Sequence, residues 1–258
     1  MIPTLNEAAN LPHVFSRLPV DLFEVVLVDG GSTDDTVDVA RRLWPGVRVV
    51  GQTRRGKGNA LLCGFAAARG DVIVMLDADG SADPAEIERY VEVLVAGADF
   101  AKGSRFLSGG GSSDITMVRR LGNWILSRAV NVLFRTRYTD LCYGYNAFWA
   151  DTFPAVPDDC DGFEIETMIN IRIAQAGLAV VEVASFEHER IHGESNLSAV
   201  RDGWRIFKVI VGERWKRRDA ADDRHEGIAA APRTHDHLRV AVTVPTPEPV
   251  GATDDAGR

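Results

Sequence analysis

Short apolar runs rich in β-branched residues alternate along the first half of the chain with segments whose apolar residues recur at helical spacing. Residues 23–31 predict a buried strand that ends in a glycine turn, and residues 33–44 predict a helix with acidic residues at its start and basic residues near its end. Further strands are predicted at 47–51 and 71–80, with a helix at 59–70 between them. Such alternation indicates an α/β fold with a mostly parallel central sheet flanked by helices, and ligands gather at the carboxyl ends of its strands.

The second half of the chain carries longer helical patterns. A helix at 84–96 leads to a strand at 99–106, and a helix at 163–177 leads to a strand at 178–184. We therefore expect one catalytic domain over residues 1–218.

Both ends of the sequence depart from this pattern. A strand is expected before the turn at residues 3–7, but only Met1 and Ile2 precede that turn, so the first strand is predicted to be truncated. Residues 219–258 are rich in Asp, Ala, Pro, Thr and His and show no periodicity, which is typical of a disordered acidic tail.

Two predicted helices, 115–135 and 204–218, are apolar over more of their circumference than one core-facing stripe requires. The stretch 102–137 holds seven basic residues against one acidic residue, and 201–218 holds seven against two. Apolar faces bordered by Trp and Arg are typical of helices in a lipid headgroup region, so we expect both helices to contact an anionic membrane surface. The alternative is that they pack on each other, on a second subunit in a homo-oligomer, or on a membrane-protein partner.

The bulk composition narrows the function further. The 258-residue chain has a net charge of −8, which argues against nucleic-acid binding. Its three cysteines lie far apart without C-x-x-C spacing, so neither a disulfide framework nor a zinc site is predicted. The sequence has no run of about 18 uncharged apolar residues and no signal peptide, which predicts a cytoplasmic protein, peripheral on the inner face of the cell membrane.

The clearest candidate chemistry is Asp77-Ala78-Asp79, at the end of a predicted strand. Two carboxylates separated by one residue can both face a hard divalent cation that bridges diphosphate oxygens, although paired aspartates also serve as turn formers. Asp29 ends the preceding parallel strand, inside a glycine-rich turn that lets a ligand approach the backbone. Other side chains of this turn can cap the following helix, so capping and nucleotide contact do not compete.

A rival interpretation rests on residues 51–57, which match the first seven positions of a phosphate-binding P-loop. The eighth position is Gly58, whereas a P-loop needs a Ser or Thr hydroxyl there for magnesium. ATP hydrolysis through Lys57 is therefore the weaker alternative.

Several ordered motifs together resemble the family 2 glycosyltransferases, and within them the dolichyl-phosphate and polyprenyl-phosphate mannosyl- and glucosyltransferase branch. The resemblance covers residues 1 to about 215. Its motifs are Pro3-Thr4-Leu5-Asn6-Glu7, Val28-Asp29-Gly30-Gly31-Ser32-Thr33-Asp34, Arg55-Gly56-Lys57-Gly58-Asn59-Ala60, Asp77-Ala78-Asp79-Gly80, Gly103-Ser104-Arg105-Phe106, Asp140-Leu141-Cys142-Tyr143-Gly144, Phe163-Glu164-Ile165-Glu166 and Arg190-Ile191-His192-Gly193-Glu194-Ser195. It implies a GT-A fold, a nucleotide-diphospho-sugar donor (a UDP- or GDP-sugar), an inverting transfer and a Mg²⁺ or Mn²⁺ cofactor.

The resemblance also implies roles for individual residues. Those that hold the donor and its metal are Pro3, Leu5, Glu7, Asp29, Lys57, Asp77, Ala78 and Asp79, with Asp77 and Asp79 as the metal ligands. The candidate catalytic residues are Asp79, Glu166, Arg190 and His192, and those on the acceptor side are Arg105, Arg119, Asp140 and Ser195. Two positions depart from the family pattern: Gly30 replaces a second Asp, and Ser81 replaces a Gln that serves as a metal or phosphate ligand.

Elementary chemistry agrees with part of this assignment. Arg190 and His192 would supply charged donors to a leaving diphosphate that gains negative charge. A phosphate acceptor is already ionised near neutral pH, so a strong general base is less necessary. Glu166 would act as a base, or it would orient the sugar or an arginine. We therefore predict transfer of a sugar to a polyprenyl phosphate at a membrane surface. A soluble family 2 enzyme with a hydroxyl acceptor is the first alternative, and a non-catalytic membrane-binding module is another.

Overall fold

The computed structural model describes residues 1–155, 160–193 and 199–220. Its strands are β1 (Ile2–Thr4), β2 (Val26–Asp29), β3 (Arg48–Gly51), β4 (Val72–Met75), β5 (Phe100–Ser104), β6 (Gly111–Ser112), β7 (Asn146–Trp149), β8 (Val180–Ala184) and β9 (Phe186–Glu187). Its α-helices are α1 (Leu11–Phe15), α2 (Thr36–Leu43), α3 (Lys57–Ala67), α4 (Ile87–Val95), α5 (Met117–Phe134), α6 (Ile165–Gln175) and α7 (Ala199–Ala220). The predicted tail lies outside the described residues from position 221 onward.

The described strands form three sheets. The first sheet has the strand order β1-β2-β3 and is parallel, the second has the order β4-β7-β5-β8, and in the third β6 pairs with β9. Within the second sheet β7 runs antiparallel to both of its neighbours, whereas β5 and β8 are parallel. Four of the six described pairings are therefore parallel, which confirms the predicted α/β fold with a mostly parallel sheet.

The backbone of Met1 connects the first two sheets through hydrogen bonds. Its amino group donates to the carbonyl of Val74 (2.8 Å), and the N–H of Leu76 donates to the carbonyl of Met1 (3.1 Å). Burial lowers the pKa of this amino group to about 5. A narrow apolar cavity of about 110 Å³ lies beside it, lined in part by Val26 and Val72.

Most predicted elements form close to their expected positions. The predicted helix at 84–96 begins with a 3-10 turn (Pro84–Glu86) before α4, because Asp83 caps the N–H of Ala85 (3.0 Å). Helix α7 begins at Ala199, five residues before the predicted start. The sequence pattern did not predict α1 or β7. Strand β7 is buried at every position, so it lacks the alternation that marks a half-buried strand.

Two apolar clusters hold the helices in place. The main cluster lies between the sheet and α3 and α6, and it is built around Phe65, Phe100, Phe148 and Ile169. The second cluster joins α5, α6 and α7 through Leu126, Val130, Phe134, Ile171, Ile206 and Ile210. Helices α5 and α7 therefore pack on each other along one stripe, as the alternative interpretation expected, and their other faces remain uncovered. Among the described residues, no helix is both long and apolar enough to cross a membrane.

Candidate active site

The two aspartates of the Asp77-Ala78-Asp79 motif follow β4 and line one cavity of about 340 Å³. Asp79 is 8% exposed, and its Oδ1 accepts hydrogen bonds from the N–H (3.0 Å) and hydroxyl (2.7 Å) of Ser81. Its Oδ2 lies 2.9 Å from Nη2 of Arg190. Ser81, where the family pattern has Gln, thus orients the Asp79 carboxylate.

Lys57 lies at the start of α3 and bridges two carboxylates. Its Nζ is 2.8 Å from Oδ1 of Asp77 and 2.7 Å from Oε1 of Glu166. Burial alone would lower the pKa of Lys57, but the two carboxylates outweigh it and hold the pKa above the usual lysine value. Lys57 therefore stays charged and links the end of β4 to the start of α6.

The glycines beside Lys57 allow a close chain crossing. Gly56 has φ +117°, and a side chain there would collide with the carbonyl of Asp161. A side chain at Gly58 would collide with the carbonyl of Cys160, and the Gly58 N–H donates to the carbonyl of Asp161 (2.9 Å). The glycine pattern that resembles a P-loop thus fits the passage of a second segment across Lys57.

Gly144 lies directly against the cluster of Lys57, Asp77 and Glu166. A Cβ at this position would lie 2.6 Å from Oε1 of Glu166 and 3.2 Å from both Oδ2 of Asp77 and Nζ of Lys57. The backbone of the 140–144 motif is therefore in close contact with the side chains of Lys57, Asp77 and Glu166.

The other end of the cavity combines backbone turns with few charges. Further residues of its wall are Pro3, Thr4, Leu5, Glu7, Gly30, Gln52, Ala60 and Phe163. The Asp29 carboxylate accepts hydrogen bonds from the N–H groups of Gly31 (3.1 Å) and Ser32 (3.2 Å), which fixes the turn after β2. No role was predicted for Gln52, although its place directly after β3 is a signal, since parallel strands bind ligands at their carboxyl ends.

Burial raises the pKa of Glu7, and a hydrogen bond from Nδ2 of Asn10 (2.6 Å) opposes that rise. The same amide donates to the carbonyl of His192 (3.2 Å). The exposed ring of His192 lies 5.9 Å from the ring of His13, centroid to centroid. The loop after β9 therefore reaches across the cavity mouth from Asp79 to α1. Ser195 lies outside the described residues.

Arg105 and Asp140 form a buried ion pair. Nε of Arg105 lies 2.7 Å from Oδ2 of Asp140, and its Nη1 donates to both carboxylate oxygens of Glu187 (3.0 and 3.1 Å). Burial alone would raise the pKa of Asp140, but the guanidinium outweighs it and holds that pKa below its usual value. The trio ties the acceptor-side segment to β9, just before Arg190.

A second and larger cavity of about 510 Å³ lies between α5 and α7. Arg105, Arg119 and the buried Asp202 lie in its wall, which is otherwise mostly apolar. Asn123 also lines it and is 4% exposed; its Oδ1 accepts from the N–H groups of Leu141 (3.1 Å) and Cys142 (3.0 Å). Within the described part of the chain, Nδ2 of Asn123 has no hydrogen-bond partner. A buried donor of this kind is costly unless a ligand or water accepts from it.

The exposed side chains of α5 and α7 are apolar and basic. The large apolar ones are Met117, Val118, Leu121, Trp124, Ile125, Val132, Trp204, Phe207 and Trp215. Four of them, Val118, Ile125, Trp204 and Phe207, also line the cavity between the two helices. The exposed basic residues on and directly after these helices include Arg120, Arg128, Arg135, Arg137, Arg201, Arg205 and Lys208. Large apolar patches with a basic border mark interaction sites.

The residues present fit a hard divalent cation bound together with a phosphorylated ligand. Two carboxylates face one cavity, and oxygen ligands suit Mg²⁺ or Mn²⁺. No group of three or more His, Cys, Asp or Glu side chains suited to a metal occurs in the described ranges. Magnesium in such sites is held by one or two carboxylates plus substrate phosphates, and this pair matches that pattern.

The fold and the acidic pair after β4, in a cavity that also holds Lys57 and Arg190, define the class of GT-A glycosyltransferases. The chain belongs to the family described as Glycosyl transferase family 2, whose sequence pattern matches residues 1–153. The predicted family and enzyme class are thereby confirmed.

Two relatives and one solved structure show the extent of the similarity. The chain is 34% identical to an undecaprenyl-phosphate mannosyltransferase of Micrococcus luteus, over 84% of this chain and 95% of that protein. It is 33% identical to a polyprenol monophosphomannose synthase of Mycolicibacterium smegmatis, over 81% of this chain and 84% of that protein. Glucosyl-3-phosphoglycerate synthase of Mycobacterium tuberculosis, solved with Mn²⁺, UDP-glucose and glycerol 3-phosphate, is 25% identical with a TM-score of 0.65, covering 83% of this chain and 78% of that one.

Proposed function

We propose that this protein transfers a hexose from a nucleoside-diphospho-sugar to a polyprenyl phosphate, with Mg²⁺ or Mn²⁺ held by Asp77 and Asp79. The observation that carries the acceptor assignment is the apolar cavity between α5 and α7. Its volume of about 510 Å³ suits several isoprene units, and its wall is too apolar for a free sugar.

The polar groups of this cavity suit a phosphate head. Asn123 supplies a buried donor, and Arg119 supplies a partly exposed guanidinium, 3.3 Å from Asp114. Arg105 also lines the cavity, but Asp140 and Glu187 engage its donors, and Asp202 adds a carboxylate to the wall. We assign Asn123 and Arg119 to the phosphate, with Arg105 and Asp140 as the support that positions them.

The outer faces of α5 and α7 would bring the cavity to the lipid. Trp124 and Trp204 are 60% and 58% exposed, a higher exposure than is usual for such large apolar side chains. Basic residues beside them would contact lipid phosphates. We therefore infer peripheral binding to an anionic membrane, on the face where nucleotide sugars are made.

The donor cavity would supply the remaining chemistry. A divalent cation there would neutralise the diphosphate as it leaves. Arg190 would donate to the same diphosphate. Because the acceptor phosphate is already ionised, Glu166 is not needed as a base, and its ion pair with Lys57 (2.7 Å) suits it to orient the sugar. In-line attack on the anomeric carbon would then invert its configuration.

The relatives support this assignment. Two that cover most of the chain are named for undecaprenyl-phosphate and polyprenol monophosphate chemistry. A small phosphorylated acceptor is the second candidate, because the solved neighbour was crystallised with glycerol 3-phosphate. Both candidates share the donor site and differ in what fills the cavity between α5 and α7.

The test is a transfer assay with purified protein, Mn²⁺ or Mg²⁺, labelled UDP- and GDP-sugars, and either a short polyprenyl phosphate or glycerol 3-phosphate. We expect labelled lipid that disappears with EDTA and falls by more than about a hundredfold in Asp79→Asn. Asp83→Asn on the same loop is the matched control and keeps its cap on the following turn.

Asn123→Asp tests the proposed phosphate site, because it keeps an oxygen that accepts from the N–H groups of Leu141 and Cys142 and removes the unpartnered donor. It should raise KM for the lipid phosphate at least about tenfold and leave sugar-nucleotide binding unchanged. Transfer to glycerol 3-phosphate without transfer to lipid would replace the proposal by the second candidate. Sugar-nucleotide binding without any transfer would refute both acceptors.

A further inference from the structure

The carboxylates of Asp77 and Asp79 are each paired with a basic side chain. Nζ of Lys57 lies 2.8 Å from Oδ1 and 2.9 Å from Oδ2 of Asp77. Nη2 of Arg190 lies 2.9 Å from Oδ2 of Asp79, whose Oδ1 already accepts two bonds from Ser81. A divalent cation bound by these two aspartates would therefore need carboxylate oxygens that now contact the Lys57 ammonium and the Arg190 guanidinium.

The two basic residues differ in how firmly they are held. Lys57 begins a buried helix and has a second carboxylate, that of Glu166, at 2.7 Å. Arg190 lies on the loop after β9, and its side chain is 23% exposed. If a cation enters, Arg190 can turn away, whereas Lys57 can keep Glu166 as its partner.

The loop that carries Arg190 is fastened to the aspartate turn. The N–H of His188 donates to the carbonyl of Ser81 (2.7 Å), and the N–H of Ile191 donates to the carbonyl of Asp79 (3.3 Å). A Cβ at Gly80 would lie only 2.7 Å from Cδ1 of Ile191, so the two segments are in close contact. These contacts keep Arg190 beside the cavity even when its guanidinium changes partner.

From this geometry we infer that Arg190 couples the binding of the metal to that of the nucleotide by exchanging ion-pair partners. In this structure it occupies Asp79 and so opposes a cation that arrives alone. When the cation arrives with a diphosphate, the cation takes Asp79 and Arg190 takes a phosphate oxygen, so no charge is left unpaired. The inference rests on the proposed metal site and adds the requirement that its affinity depend on the nucleotide.

The test measures Mn²⁺ binding directly, from the electron paramagnetic resonance signal of free Mn²⁺, with and without UDP or GDP. We expect Arg190→Gln to bind Mn²⁺ alone about tenfold more tightly than the unmodified protein. With nucleotide present, the same variant should bind Mn²⁺ at least about tenfold more weakly. Opposite changes in Mn²⁺ affinity without and with nucleotide are specific to partner exchange, because a loss of structure would weaken Mn²⁺ binding under both conditions.

Two further variants complete the experiment. Arg190→Lys keeps the charge and should retain the nucleotide-dependent behaviour. Arg17→Gln is the matched control, because it removes an arginine from an aspartate pair, Arg17 with Asp83, on the same turn, and it should change neither affinity.

The outcomes distinguish this inference from the proposed function. Mn²⁺ binding that Asp79→Asn abolishes and Arg190→Gln leaves unchanged or weaker in the absence of nucleotide would overturn the exchange and keep the metal site. Mn²⁺ binding that does not depend on Asp77 or Asp79 would overturn both.

Discussion

Because Gly144 has no side chain, it leaves room for the charged groups of the smaller cavity. Its Cα faces the Lys57, Asp77 and Glu166 cluster, and a Cβ would lie 2.6 Å from Oε1 of Glu166. Real Cβ contacts are not this short, so a methyl group must displace a carboxylate that is only 8% exposed. The position is thus strict for steric reasons, although the residue has no functional group.

We predict that Gly144→Ala lowers kcat by roughly a hundredfold, because it shifts the groups that position the donor. Steady-state assays and thermal unfolding of the same preparation would check this. Gly212→Ala is the control: a Cβ there would meet no atom within 4 Å, and on helix α7 it should stabilise by roughly 0.5–1 kcal/mol with unchanged kcat. Equal activity in the two variants would contradict the steric account.

Helices α5 and α7 differ from the other helices in what they leave uncovered. Each buries one stripe in the apolar cluster that joins α5, α6 and α7, and each keeps tryptophan exposed: Trp124 on α5, and Trp204, at the cavity, and Trp215 on α7. Transfer of a large apolar side chain into an apolar environment is worth about 1.5–3 kcal/mol, so two tryptophans can decide whether the protein stays on a membrane.

We predict that Trp124→Ser and Trp204→Ser each weaken binding to liposomes by about tenfold or more, as measured by co-sedimentation. Val20→Ser is the control, because Val20 is 94% exposed and lies outside both helices. A comparable loss in the control variant, or no loss in either tryptophan variant, would argue that the patch is not the lipid contact.

At the scale of the molecule, the charges are unevenly distributed. The chain carries a net charge of −8, so an anionic membrane repels it as a whole and attracts it only through the basic border of α5 and α7. Binding to anionic liposomes should therefore weaken by at least roughly tenfold between about 0.1 M and about 1 M NaCl, where the Debye length falls from about 10 Å to about 3 Å. Binding that is insensitive to salt would leave the apolar contacts as the main cause.

Strands β2 and β4 can be predicted from the sequence because their signals are local. A strand followed by Asp77-Ala78-Asp79, or by the turn at Asp29, indicates the element within a few residues, whereas the metal and nucleotide roles of these residues stay predictions. The tertiary pairings are different in kind. The sequence around Arg105 does not predict its ion pair with Glu187. Likewise, the sequence around Asn123 does not predict that its Oδ1 accepts from the N–H groups of Leu141 and Cys142, or that its Nδ2 lacks a partner among the described residues.

The reversal of strand β7 brings two separate segments of the chain to one edge of the sheet. Because β7 runs antiparallel beside β4, with Met75 opposite Asn146, the turn before β7 lies at the edge where Asp77 follows β4. That turn carries Gly144 and continues from α5, which lines the larger cavity, whereas the parallel strands β1 to β3 end in the turns of Asp29 and Gln52. Under the proposed function, substitutions around the larger cavity can therefore change the acceptor while strands β1 to β3 keep their pairing.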